Sequence, residues 1–350
     1  MLAEQLREGD VARGGGVVRF GILGAARIAA RALVAPAREV AQAEVVAIAA
    51  RNQASACTFA RQHGIPAAHE SYAALLADPS VDAVYVPLPN ALHGSWTLRA
   101  LEAGKHVLCE KPFAANASEA ERVAAAAASA GLVVMEAMHY RYHPLVRRMA
   151  SVIADGVIGT PRHIQCWTSW PVPDISDIRY SFELGGGALM DGGCYAIDCM
   201  RLLGLSDPGV TGALADPVPG VPVDRAIAAR LSSPAGLTGW FESSFTGSFP
   251  GAGDFRADVH VTGDEGHLWL RNYINAQDGT LQVYPEGPSW PGSRETPQGT
   301  TFTWQLRAFT AAVVEGEPFP TTAANSVGTM RVIDDVYRAS GLPVREPSVS

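Results

Sequence analysis

The hydrophobic pattern of this chain changes character part-way along. Up to Ala137, unbroken apolar runs alternate with alanine-rich stretches of helical period. VVRFGIL is followed by AARIAARALVAPARE, VVAIAA by ASACTFARQHG, VDAVYVPL by SWTLRALEAGK and HVLCE by SEAERVAAAAASAG, and the series closes on LVVME. Apolar runs without alternation, separated by helices, predict parallel strands buried on both faces, hence a doubly wound parallel sheet over 16–137. The opening MLAEQLREGDVARGGG mixes acids with bases, has no apolar core and ends in glycines. It reads as a disordered leader over 1–15 and not as a secretion signal.

Beyond Ala137 a helical pattern, HPLVRRMASVIADG, leads into longer alternating segments: RHIQCWTSW, DRAIAARLSS, LTGWFESSF, RADVHVTG, HLWLRN and TLQVYP. Turn-forming SSPAG and GDEG separate some of them, which predicts a large, open, mostly antiparallel sheet in an α/β domain over 138–345. Two helical patterns follow, TFTWQLRAFTAAVVEG and AANSVGTMRVIDDVYRAS. Ala257, Val259 and Val261 give the sheet one apolar face, while Trp240, Trp269, His260 and His267 sit among charges on the other. That second face could meet solvent, line a cleft or pair with another copy. Its aromatic content points to an oligomer.

Composition narrows the function classes. With 350 residues, 47% apolar and 18% charged, and a net charge of -8, the chain suits two packed domains and offers no basic face for nucleic acid or anionic membrane. No apolar run approaches the roughly 18 residues of a membrane span, so a cytoplasmic protein is the default expectation. Cys57, Cys109, Cys166, Cys194 and Cys199 are odd in number and scattered, so neither a disulfide framework nor a metal site is expected.

Three clusters carry candidate chemistry. Gly24-Ala25-Ala26-Arg27-Ile28-Ala29, after the first strand, is a degenerate G-x-G-x-x-G turn. Its glycine allows the tight turn, its small residues allow close approach, and the following helix N-terminus suits a pyrophosphate. The second strand runs into Arg51-Asn52 with no acid nearby. A guanidinium there favours the 2′-phosphate of NADP over the free ribose of NAD, although a solvated surface arginine is the common alternative. At later strand tips PLPNALH holds Asn90 and His93, and CEKPF holds Lys111. In GGGALMDGGCYAID, Asp191, Tyr195 and Asp198 fall on one helical face.

Taken in order, GILGAARIA, PLPNALH, CEKPF, EAMHYRYHP, GGGALMDGGCYAID and MRVIDDVYRAS resemble the Gfo/Idh/MocA oxidoreductase family, in particular the branch with dihydrodiol dehydrogenase, D-xylose dehydrogenase and glucose-fructose oxidoreductase. The resemblance implies a Rossmann domain, a second domain whose open sheet often mediates homodimer or homotetramer contacts, and NAD(P)-linked oxidation or reduction of a sugar or polyol carbon. It places Lys111 near the nicotinamide and the reacting oxygen, Asp191 at the substrate, and Tyr195 where many members carry an acid/base histidine. His93 is expected beside them. The implied cofactor set is Gly24, Ala26, Arg27, Ile28, Arg51, Pro87, Leu88, Asn90, His93, Glu110, Lys111 and Arg141. A phenol with pKa near 10 is a poor base at neutrality, so Lys111 is expected to lower it and to stabilise alkoxide charge.

Each residue also has a structural reading: Lys111 as a surface lysine, Tyr195 as a half-buried core tyrosine, His93 as a helix-start residue, Arg141 as packing at the domain seam. Together the motifs favour an NADP-dependent oxidoreductase acting on a secondary alcohol or ketone of a carbohydrate-like small molecule. An NAD-dependent glycoside hydrolase of the same fold and a non-catalytic NADP sensor are the rival readings.

Overall fold

The computed structural model describes residues 16–247, 255–284, 290–291 and 299–348. The leader expected over 1–15 lies outside them. Six parallel strands, β1 (Val18–Leu23), β2 (Ala43–Ala49), β3 (Ala67–His69), β4 (Ala83–Val86), β5 (His106–Cys109) and β6 (Val134–Glu136), form one sheet in the order β3-β2-β1-β4-β5-β6. Phe20, Ile22, Val84, Tyr85, Val107 and Leu108 are buried on both faces of this sheet, which is why the sequence shows runs and no alternation. β3 is a three-residue edge strand with no apolar run to announce it. The strand order reverses between β1 and β4, the crevice where such sheets bind ligands.

Local signals fix the helices. α1 spans 27–37: it is α-helical at Arg27–Ala29, widens into a π turn at Ala30–Val34 and resumes at Ala35–Ala37, where Pro36 has no N–H to donate. Asn52 caps α2 (Gln53–His63) by accepting from the Ser55 N–H, and Gly64 ends it at a φ of 74°. Short α3 (Tyr72–Leu76) and α4 (His93–Glu102) follow, then α5 (Ala117–Ala130), capped by Asn116.

After α6 (Pro144–Ala154) comes an eight-stranded sheet built from β7 (Pro161–Ser169), β8 (Gly209–Pro217), β9 (Asp224–Ser232), β10 (Thr238–Ser244), β11 (Arg256–Gly263), β12 (His267–Arg271), β13 (Thr280–Tyr284) and β14 (Trp290–Pro291). Their order is β14-β13-β12-β11-β7-β10-β9-β8. It is antiparallel except at its centre, where β7 and β10 run parallel with Gln165 beside Trp240. A crossover through α7 separates them: a π turn at Leu189–Gly193 continues as helix Cys194–Leu202. β8, an exposed edge strand, gives no alternating signal. Ala257, Val259 and Val261 face inward, while Trp167 stacks on Trp269 on the outer face. α8 (Thr301–Glu315) and α9 (Ala323–Ser340) then return to the first sheet: Phe309 meets Phe20, and α9 packs on α5 and α7. Among the described residues no helix is long and apolar enough to cross a membrane.

One buried knot fixes the start of α7. The Asp224 carboxylate, with no exposed surface, accepts from the Leu189 N–H at 2.6 Å, Arg345 Nη2 at 2.8 Å and the Tyr337 hydroxyl at 3.0 Å. Arg345, equally buried, also donates from Nε to the Gly186 carbonyl at 2.7 Å. Gly187 has a φ of 134°, and a Cβ on it would lie 2.3 Å from Asp224 Oδ1, so only glycine fits the turn.

Two stability predictions follow from buried charge. Removing one partner of a buried pair strands the other, so Arg345→Met should cost about 3–5 kcal/mol in urea unfolding, and adding Asp224→Asn should recover part of it. Glu136 closes β6 at 1% exposure, and burial pushes its carboxyl up from 4.5 to about 7. Charge on it is penalised only in the folded state, so its contribution is best below pH 4.5, falls as pH rises towards 7 and stays low above. Glu136→Gln should therefore shrink the stability difference between pH 5 and pH 8 by about 2–3 kcal/mol, read from unfolding curves at both pH values.

Candidate active site

A crevice opens where β1 and β4 diverge, a cavity of about 670 Å³ walled by both sheets' loops. The β1–α1 turn forms its floor. Gly24 has a φ of 116°, and a Cβ there would press on Leu88 Cδ2 at 3.1 Å, so the turn can hug the β4 tip only as glycine. Ala26, at the N-cap of α1, offers no side-chain acceptor, which leaves the first-turn N–H groups unclaimed by a side chain. Ala26, Arg27, Ile28 and Arg31 line the cavity. A small-residue turn, an uncapped helix start and two guanidinium side chains together fit a dinucleotide pyrophosphate.

The β4 and β5 tips supply the adjacent wall: Pro87, Leu88, Asn90, His93, Glu110 and Lys111. His93 is buried, with Nδ1 2.7 Å from the Pro112 carbonyl and Nε2 2.7 Å from the Leu88 carbonyl. Burial lowers its pKa to about 4, so the neutral ring ties the two tips together and donates to only one of them. Asn90 donates to the Gly185 carbonyl at 2.9 Å, joining the β4 tip to the glycine turn before α7. Glu110 accepts from the Tyr85 hydroxyl at 2.6 Å, and the Lys111–Pro112 peptide bond is cis.

Across the cavity α7 presents Asp191 and Tyr195. Lys111 Nζ donates to Asp191 Oδ1 at 2.7 Å and to its carbonyl at 2.9 Å, while Arg179 Nε donates to Oδ2 at 2.7 Å. Burial alone would raise the Asp191 carboxyl, but the two cations hold it at about 2. Burial opposes the charge on Lys111, but Asp191, Cys194 and Glu110 together more than offset it, leaving its pKa above the ordinary value. Lys111 Nζ also lies 5.2 Å from the centre of the Tyr195 ring. The Tyr195 hydroxyl points instead to His139 Nε2 at 3.0 Å.

The expectation that Lys111 lowers the Tyr195 pKa needs correction. Burial first, then Glu110, Cys194, Asp191 and Glu136, push the phenol well above its ordinary value. Lys111 faces the ring and spends its hydrogen bonds on Asp191. In the protein alone Tyr195 is thus a neutral phenol, suited to giving a proton.

Lys111, Tyr195, Asp191 and His93 meet in one cavity with Ala26, Arg27, Ile28, Pro87, Leu88, Asn90 and Glu110. Gly24 sits beneath it, shaping the turn. Arg51 is exposed just past β2 and does not line it. Arg141 is elsewhere: its Nη1 donates to Asp198 Oδ1 and Asn325 Oδ1, both at 3.2 Å. Asp198, one helical turn beyond Tyr195, turns away with it, accepting from Arg141 Nη1 and from the Tyr140 hydroxyl. Sequence reasoning missed Arg179, His139, Trp170 and Arg31, all in the cavity wall. His139 lies inside EAMHYRYHP, where a polar residue among buried neighbours was the available signal. Arg179 sits in an irregular loop, where spacing carries none.

The comparisons with known proteins agree with this architecture. Residues 18–138 match a family model described as an oxidoreductase family with an NAD-binding Rossmann fold, and residues 146–269 match the GFO/IDH/MocA C-terminal domain. The chain is 37% identical over 323 residues to D-xylose 1-dehydrogenase (NADP(+)) 2 of Haloferax volcanii, covering 92% of this chain and 97% of that protein. It is 35% identical over 327 residues to dTDP-3,4-didehydro-2,6-dideoxy-alpha-D-glucose 3-reductase of Actinomadura kijaniata, covering 91% and 94%. A crystal structure of a 3-ketoreductase from Actinomadura kijaniata with NADP and TDP-benzene superposes with a TM-score of 0.81 at 31% identity, covering 93% of this chain and 98% of that one. Variants of that 3-ketoreductase have also been solved, one replacing a tyrosine by phenylalanine and others replacing a lysine. The two altered positions stand as far apart in sequence as Lys111 and Tyr195 do here. Fold, cavity and similarity along nearly the whole chain thus agree, and the protein belongs to the GFO/IDH/MocA oxidoreductase family.

Proposed function

We propose that this protein is an NADP(H)-dependent oxidoreductase that interconverts a secondary alcohol and a ketone on an uncharged sugar or polyol, with Tyr195 as acid/base and Lys111 as its electrostatic companion. The observation that carries this reading is the meeting of Lys111, Asp191 and Tyr195 in one cavity at the switch point of the parallel sheet. The Arg27 side chain and the first turn of α1 would hold the pyrophosphate, with Gly24 and Ala26 permitting its approach. Arg51, past the end of β2, would take the 2′-phosphate. When bound, the nicotinamide supplies or accepts the hydride.

The remaining work falls to side chains of this chain. Tyr195 gives its proton to the oxygen of a ketone being reduced, or takes one from the hydroxyl of an alcohol being oxidised. The Lys111 ammonium, half-buried and facing the same space, stabilises negative charge growing on that oxygen. Asp191 and Arg179, ion-paired at 2.7 Å, present an acceptor and donors to neighbouring hydroxyls. Trp170 stacks on Phe255 with ring centres 5.8 Å apart, offering an apolar wall to one face of a sugar ring. Of the charged residues lining the cavity, Arg27 and Arg31 lie at the α1 end and are given to the cofactor, which leaves Glu110, Asp174, Asp177 and Asp191 against Lys111 and Arg179. That balance disfavours a phosphorylated or nucleotide-linked substrate and supports a neutral one.

Absorbance assays with NADP and a panel of free aldoses, polyols and nucleotide-linked sugars should find turnover among the uncharged compounds; turnover confined to nucleotide-linked sugars would reverse the substrate assignment. On the best substrate, Tyr195→Phe should lower kcat by about 10²–10⁴-fold, with NADPH binding by fluorescence unchanged. Activity near the parent level would remove Tyr195 from the chemistry. Arg51→Ala should weaken NADP binding by about 10- to 100-fold while leaving NAD binding as it was, and equal losses for both would remove the 2′-phosphate from its role.

A further inference from the structure

The Tyr195 hydroxyl needs a partner when its proton leaves, and Lys111 does not meet it. The partner the structure supplies is His139, on the turn His139–Tyr142 that follows β6. His139 is 3% exposed. Its Nε2 lies 3.0 Å from the Tyr195 oxygen, and its Nδ1 lies 2.7 Å from Thr301 Oγ1, on the first residue of α8. The Phe302 ring covers the imidazole at 4.0 Å between centres, holding its plane.

We infer, resting on the proposed function above, that His139 is the positioning residue for the Tyr195 hydroxyl and the donor that stabilises its phenolate. A neutral imidazole has one donor and one acceptor, and the hydroxyls at its two ends can each serve as either. The chain Tyr195–His139–Thr301 is therefore satisfied in two opposite directions. With the hydrogen on Nδ1, the ring donates to Thr301 and accepts the Tyr195 hydrogen, which then points away from the substrate. With the hydrogen on Nε2, the ring accepts from Thr301 and donates to the phenol oxygen, freeing the Tyr195 hydrogen for the substrate.

The second form suits reduction of a ketone. As the carbonyl carbon gains its hydride from the reduced nicotinamide, the Tyr195 O–H bond breaks and its proton goes to the substrate oxygen. The phenolate left behind keeps the His139 Nε2–H as a charge-assisted hydrogen bond and takes a proton from water after product leaves. Oxidation runs the same steps backward, with the phenolate receiving the substrate hydroxyl proton. No step places a proton on both ring nitrogens. This agrees with burial, and with Arg31 and Lys111 nearby, keeping the imidazole pKa down at about 3. The groups facing Tyr195, besides His139, are Lys111, Glu110, Asp191, Glu136 and Cys194, together with the phenols of Tyr85, Tyr140 and Tyr273.

Two substitutions and one resonance measurement on the full-length protein test this, with D-xylose and NADP as probes. His139→Met keeps an apolar side chain against Phe302 and removes the N–H; kcat should fall about 10- to 100-fold with the KM for NADP within about twofold. The pH limb belonging to Tyr195 should move up by about one unit. His139→Gln, whose amide reaches the Nε2 position, should restore most of kcat and the limb. Nitrogen-15 histidine spectra should show His139 neutral from pH 5 to pH 9. An unchanged kcat and pH limb in His139→Met, an imidazole that titrates between pH 6 and pH 8, or equal losses in both variants with a lowered Tm would overturn the assignment. If the parent enzyme turns over neither D-xylose nor any other sugar of the panel, the oxidoreductase reading fails, while the spectra still judge His139.

Discussion

The arrangement depends on a carboxylate with no access to water. Asp224 opens β9, yet its oxygens are taken by the Leu189 amide, the Arg345 guanidinium and the Tyr337 hydroxyl. Those partners come from the helix that carries the candidate active site, from the segment after α9, and from α9 itself. An unpaired charge in that position costs about 3–5 kcal/mol, so the pairing holds the three elements together. Gly186 and Gly187 thread between them, since a Cβ on either would run into Asp224, Tyr337, Arg345 or backbone carbonyls at under 3 Å. The direction in which Asp191 and Tyr195 leave α7 follows from this knot.

The same logic of buried charge governs the cavity. Asp191 is neutralised twice, by Lys111 at the β5 tip and by Arg179 from the loop before α7, so the Lys111 pair ties the first sheet to α7 while the Arg179 pair fixes the loop to the same carboxylate. With Lys111 engaged there, the phenol of Tyr195 is left in a low-dielectric site among Glu110, Asp191 and Glu136, and stays protonated. A cation close in space does not by itself lower a pKa. What counts is whether its hydrogen bonds point at the titrating atom, and here they point at a carboxylate.

Much of this was legible along the chain. The unbroken runs VVRFGIL, VVAIAA and HVLCE are buried parallel strands because both faces of the sheet are covered. The alternation of Ala257, Val259 and Val261 is a one-faced strand. Asn52, Asn116, Gly64 and Gly131 end their helices through bonds a few residues away, so the signal for them is local. β3 and β8 escaped, the first because AAH is too short to show a period, the second because its half-buried Val210, Ala213 and Ala215 are small or separated by a register shift between Val210 and Gly212, which breaks the alternation. The parallel β7–β10 pair also escaped, because pairing direction is set by the crossover between the strands and not by their residues.

The sequence by itself determined the two textures of the chain, the glycine positions that only a left-handed backbone tolerates, and the presence of Lys111, Asp191 and Tyr195 at strand and helix ends. These are local properties, set by side-chain volume, backbone freedom and the two periods of regular structure. Only the tertiary structure decided partnership. It sent Arg141 to Asp198 and Asn325, gave Lys111 to Asp191, brought Arg179 in from an irregular loop, and set His139 and Thr301, 162 residues apart, in line with the Tyr195 hydroxyl. The physical reason is that a buried polar atom must find a partner among whatever the fold brings within 3 Å. Distance in space is a property of the packed whole that no stretch of chain encodes alone.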